Sequence, residues 1–200
     1  MSATLTPTTM DRTDVPSLLT GGTKIGLVTA VAVVVYLWVS KHVSAGQAGV
    51  ETLLVLAAGT AVTFLPGRWC VARTVEGIAG AAGMGLWGAI VFSVVDIVLL
   101  RPLKAYPWTW DAIGGGSTWW YLPMWWMFGT FLAWMGGTLV ATGREDASLM
   151  RTAAPALIGA VAVAVVARLA GLHTTLPVTA GAGFAVTLPV LAVVALARKA

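Results

Sequence analysis

The chain is short of charge, of cysteine and of histidine. Only 10% of its 200 residues are charged, against 58% hydrophobic, and a water-soluble domain needs more polar side chains than that to cover its outside. The shortage excludes a soluble globular domain, and with a mean hydropathy of +0.87 most of the chain has lipid for a solvent. The single cysteine, Cys70, excludes an intrachain disulfide and a thiolate metal cage. Two histidines, His42 and His173, lie at the ends of apolar runs, which removes a bis-histidine haem at mid-membrane. A net charge of +4 without a dense basic cluster points away from nucleic acid. Absent too is the polar/apolar alternation of a membrane β-barrel: VTAVAVVVYLWV (28–39) and ALIGAVAVAVVARLAG (156–171) do not alternate.

What is present is a series of apolar runs broken by Gly, Pro or charge, at about 25–43, 50–66, 75–100, 120–141, 152–171 and 177–197. About 20 helical residues cross a bilayer core. The expected fold class is therefore all-α, a polytopic integral membrane bundle of six transmembrane helices. It forms one domain over residues 24–200, preceded by a polar, Thr-rich tail at 1–23 and interrupted by an outer Trp/Gly-rich loop at 101–119. The tail has no basic segment ahead of an apolar core and does not read as a signal peptide. With the N-terminus inside, Arg12, Lys24, Arg68, Arg73, Arg144, Arg151, Arg198 and Lys199 face the cytoplasm and Lys41, Arg101, Lys104 and Arg168 face out. Retention of positive charge inside then puts both termini in the cytoplasm, and the expected location is the inner membrane of a prokaryote.

Small residues mark the expected helix contacts: Gly77, Ala81, Gly85 and Ala89 in the third run, Gly129, Ala133 and Gly137 in the fourth, Gly181 and Ala185 in the sixth. Pro189 falls in mid-run, where it removes a backbone donor and kinks the helix.

Seven of the ten tryptophans fall between residues 106 and 137, namely Trp108, Trp110, Trp119, Trp120, Trp125, Trp126 and Trp134. Indoles at the headgroup level anchor a bundle, because the ring is apolar and its N–H wants water. The deeper rings exceed what anchorage requires. Trp120, Trp125, Trp126, Phe131 and Trp134 are the expected surface for an apolar ligand or a partner helix. On a helical wheel Trp125, Gly129, Leu132 and Gly136 share one side, while Trp120, Met127, Phe131 and Trp134 share another.

Charge inside lipid is a functional candidate with a partner to be named. Asp96 and Arg168 each lie near the outer end of their runs, at similar depth, and an Asp96–Arg168 ion pair is expected, with Arg168 reaching headgroups and Asp96 bonding Arg101 as the alternative. His42, His173, Glu51 and Asp111 sit in separate connections without the spacing that builds a metal site, so no metal is expected. Gly115-Gly116-Ser117 at a helix start, with a later His173 in a six-helix chain, resembles the rhomboid intramembrane proteases, whose motif is Gly-x-Ser-Gly with a histidine in the sixth helix. Here Thr118 follows the serine and His173 precedes the sixth run. Both departures fall on the residues that would act, so no family membership follows.

The function expected is that of a small non-catalytic membrane protein. It would be an accessory or scaffold subunit packing against a larger membrane complex, or a holder of an apolar cofactor or lipid through its Trp-rich fourth helix. A small carrier or channel and an outer-leaflet hydrolase or metal-dependent enzyme are the alternatives. The expected partners are lipids and other membrane helices; no particular cofactor is specified.

Overall fold

The computed structural model describes residues 11–103, 121–143, 147–172 and 174–198. Among them every regular element is a helix. The order is α1 (Val15–His42), α2 (Gln47–Trp69), α3 (Val75–Val95, running on as a π-helical turn Asp96–Leu100), α4 (Tyr121–Thr142), α5 (Leu149–Leu169) and α6 (Leu176–Ala197). All but α4 are long and apolar enough to cross a membrane, so this is an integral membrane protein by the length and composition of its helices. The outward surface agrees with a lipid solvent: Leu53 is 69% exposed, Ile158 69% and Val193 65%. The expected outer loop falls almost wholly outside the described residues, as do the first ten residues of the expected tail.

The first helix starts at Val15 rather than near residue 25, which corrects the extent of the tail. Its polar first turns are helical because the Asp14 carboxylate accepts from the Ser17 N–H at 3.0 Å and Pro16 occupies the first turn, where a missing donor costs nothing. The segment before it is tied down as well. The Arg12 N–H donates to the Cys70 carbonyl at 2.8 Å, and the Asp11 carboxylate accepts from the N–H groups of Arg73, Thr74 and Gly77 at 3.2, 3.1 and 3.0 Å. Burial opposes the ionised form of Asp11, but these bonds, with one from the Thr74 hydroxyl, hold its pKa below the usual carboxylate value.

Helix α2 touches every other helix and forms the axis of the bundle. Helix α3 is held between α1 and α4 because both its sides are bare. A Cβ on Gly26 would lie 2.6 Å from the Gly88 carbonyl oxygen, and one on Gly85 would lie 2.7 Å from that of Gly129. Absent side chains let these backbones meet, which is how helices associate when lipid is as apolar as leucine. On the far side of α2 a dry core of Phe64, Leu132, Ala153, Ala156, Ala160, Phe184 and Leu188 joins α2, α4, α5 and α6. The alanine stripe of α5 is its contribution to that core.

Short connections make neighbouring helices antiparallel, so the bundle has two ends. The Asp11 end holds the start of α1 and the α2–α3 turn, with Arg68 Nη1 donating to the Ala147 carbonyl at 3.0 Å. The opposite, His42 end holds the α1–α2 turn and the π turn of α3.

Candidate functional site

A cavity of about 360 Å³ lies within the bundle, reaching the His42 end. Small residues make its floor, Ala58 and Gly59 from α2 with Gly85, Gly88 and Ala89 from α3. One wall is a single face of α1, Ile25, Thr29, Val33, Tyr36 and Leu37, spaced as a helix repeats. The other wall comes from α4 and carries Trp125, Phe128, Gly129 and Leu132. The rings of Trp125 and Phe128 meet edge to face, 6.2 Å between centroids, an arrangement that stiffens the wall. Both rings are partly exposed, 42% and 41%, so this wall is also the cavity's mouth toward the surface.

Polar groups gather at one end only. The Thr29 hydroxyl is spent on the Ile25 carbonyl at 2.8 Å. Tyr36 belongs to a cluster in which buried Glu51 accepts from the Ser40 hydroxyl at 2.6 Å and from Gln47 Nε2 at 2.9 Å, with the Tyr36 hydroxyl as a further donor. Asp96 also lines the cavity, and Arg101 Nε donates to its Oδ2 at 3.1 Å. That ion pair is nearly dry on the acid side, 5% exposed against 27% for the arginine.

The expected Asp96–Arg168 pair is thereby replaced. Arg168 sits exposed in the last turn of α5, and Asp96 is held by Arg101. Residues five apart on an α-helix point roughly 140° away from each other. The π turn changes this, because its hydrogen bond spans five residues, here Arg101 N–H to Asp96 C=O at 3.0 Å, and stacks the two side chains on one side.

The aromatic candidates are dispersed. Trp125 lines the cavity, whereas Trp126 turns into the helix contact and donates from Nε1 to the Ser93 hydroxyl at 3.2 Å. Phe131 packs against the dry core. Trp134 points outward, 52% exposed, as do Met124 and Met127. Trp120 lies outside the described residues, together with Asp111, Ser117, Thr118 and His173. His42 stacks on Trp38 at 5.0 Å between centroids, with Nδ1 2.8 Å from the Trp38 carbonyl. Glu51 is a buried helix residue and not a loop ligand, and among the described residues no three His, Cys, Asp or Glu side chains group to hold a metal.

Sequence reasoning missed the α1 wall. A signal was there: Gly22, Gly26 and Ala30 repeat every four residues and are all buried, one half of the seam with α3. Chemically, the cavity offers apolar area, with Tyr36 and Asp96 as the polar groups at one end. Among the described residues its lining contains no serine, cysteine or histidine. No family model, curated protein or solved structure matches the chain.

Proposed function

We propose that this is a small non-catalytic integral membrane protein that holds an apolar cofactor or lipid chain between α1 and α4. The observation that carries the reading is the cavity of about 360 Å³ walled by aliphatic and aromatic side chains, a size within the usual range for small-molecule sites, roughly 300–1,000 Å³. A site of that character binds by apolar area and orients its ligand with few polar contacts. Tyr36 and the Asp96–Arg101 pair are those contacts here. The six-span topology is part of the proposal. It is supported by the way α4 packs along its length against α3, Gly129 against Ala89 and Gly137 against Ala81. The excess of Lys and Arg at the Asp11 end supports cytoplasmic termini and a prokaryotic inner membrane as the setting.

A second role for the same helix is favoured by Met124, Met127 and Trp134, exposed at 67%, 69% and 52%. Methionine-rich faces adapt to partner helices, so this outer face of α4 suits docking on a larger membrane complex.

The test is native mass spectrometry of the protein extracted from its own membrane in mild detergent. The wild type is expected to carry an adduct of defined mass that survives delipidation. Val33→Trp and Ala58→Leu, which fill the cavity without touching its polar end, are expected to lower its occupancy at least tenfold. An adduct retained equally by the filled variants, or a wild type that carries none, removes the reading.

A further inference from the structure

A second cavity, about 520 Å³, opens at the Asp11 end, and its character is the reverse of the first. Three cations line it, Arg12, Lys24 and Arg68, with the hydroxyl residues Ser17 and Thr20 and the indole of Trp69. Its inner wall is apolar, made by Val71 and Met84.

Its depth follows from the length of α1. A helix of 28 residues is about 42 Å long, the thickness of a bilayer with its headgroups and not of the hydrocarbon alone, which is about 30 Å. The uniformly apolar part begins at Ile25, so the turns from Val15 to Lys24 stand in the headgroup layer. Trp69, 36% exposed at the end of α2, is placed as interfacial tryptophans are. The cations converge at the level where lipid phosphates lie.

They are also electrostatically available. Of the two acids nearest in sequence, Asp11 caps α3, and Asp14 caps α1 while the charge of Arg12 acts on it from a distance. No acid lines the cavity, and among the described residues no ion pair engages Arg12, Lys24 or Arg68. Arg68 gives one donor to the Ala147 carbonyl, which fixes its guanidinium and leaves other N–H groups to offer. The backbone bond from Arg12 to Cys70 at 2.8 Å likewise delivers the Arg12 side chain from an anchored position.

We infer that this cavity binds a phosphate group through Arg12, Lys24 and Arg68, and that its source is the headgroup of an anionic phospholipid. The site is independent of the apolar cavity at the other end.

The experiment compares retention of phosphatidylglycerol and phosphatidylcholine by the purified full-length protein in native mass spectrometry, with inorganic phosphate as a competitor. Wild type is expected to retain phosphatidylglycerol roughly 100-fold more strongly, about fivefold for each of the three cations. Removing one cation lowers that preference about fivefold and the pair Arg12→Gln with Lys24→Gln roughly 25-fold, from the usual contribution of one Lys or Arg near an anionic surface. Neither side chain carries a hydrogen bond of the fold among the described residues, and an unchanged melting temperature in phosphatidylcholine verifies that the variant is folded. Lys24→Arg is expected to bind as wild type. Displacement of the lipid by millimolar inorganic phosphate upholds the phosphate site and assigns it a free-phosphate source. No preference for phosphatidylglycerol in wild type, or an equal loss from Arg151→Gln with Arg198→Gln at the same end outside the cavity, overturns the inference.

Discussion

Asp96 and Arg101 show how much one local turn decides at the residue scale. The acid is buried, the base reaches the edge of the bundle, and the π turn between them brings together two side chains that an α-helix would separate. Taking away the arginine alone leaves the buried acid without that contact, which costs more than neutralising both. Arg101→Leu is therefore expected to destabilise the bundle by about 1–3 kcal/mol more than Asp96→Asn with Arg101→Leu together. Unfolding in mixed micelles measures the difference, and equal losses would mean that the contact contributes nothing. Trp126 teaches a related point: its indole looks like ligand surface in sequence, yet its N–H is used on Ser93 to bind α4 to α3.

At the scale of elements, the bundle depends on where helices lack side chains. Gly136 of α4 lies against α2 so closely that a Cβ there would collide with the Thr63 carbonyl. Gly83 on α3 has nothing within 4 Å of the corresponding point. Gly136→Ala must push α4 from α2 and is expected to cost about 2–3 kcal/mol, within the range for overpacking. Gly83→Ala meets open space, and the better helix propensity of alanine makes it neutral or stabilising by up to about 1 kcal/mol. The same micelle unfolding assay reads both, and similar values for the two would contradict the seam. The small-residue stripes were legible in α3 and α4, while the α1 half of the seam was hidden because its glycines follow a polar, Thr-rich stretch. Only the cap at Asp14 and the burial of Gly21 and Gly22 turn that stretch into helix. The second apolar run was expected to end near residue 66, but α2 continues through Pro66 to Trp69, because a proline in the last turn gives up one bond without ending the packing.

For the whole molecule, the two ends differ in chemistry: three cations around one cavity, buried Glu51 with its donors and an ion pair beside the other. The proposed orientation puts the cationic end in the cytoplasm, and Cys70 makes this easy to test. Burial, then the charges of Asp11 and Asp14, push its thiol up to about 11, and it is fully buried, so at neutral pH it is expected not to react with a maleimide. Single reporters then speak alone. Ser44→Cys at the His42 end is expected to label in intact cells, and Ser148→Cys at the Asp11 end only after permeabilisation. The opposite pattern inverts the molecule and moves the phosphate site to the outer leaflet.

The sequence by itself determined the solvent and the element type. Apolar segments without alternation admit only helices, and their centres fall where the helices are, since hydrophobicity is a property of each residue that needs no partner to be read. It also supplied Asp96, Trp125 and the small-residue stripes as features to be explained. What only the tertiary structure decided is which of these features meet. The cavity exists because the α1 face, the bare floor of α2 and α3 and two rings of α4 converge, and Arg12 joins Lys24 and Arg68 because Asp11 and the Cys70 carbonyl fold the leading segment back onto the α2–α3 turn. Such convergence depends on helix rotation and close approach, which packing sets jointly across the bundle and which no single run of residues encodes.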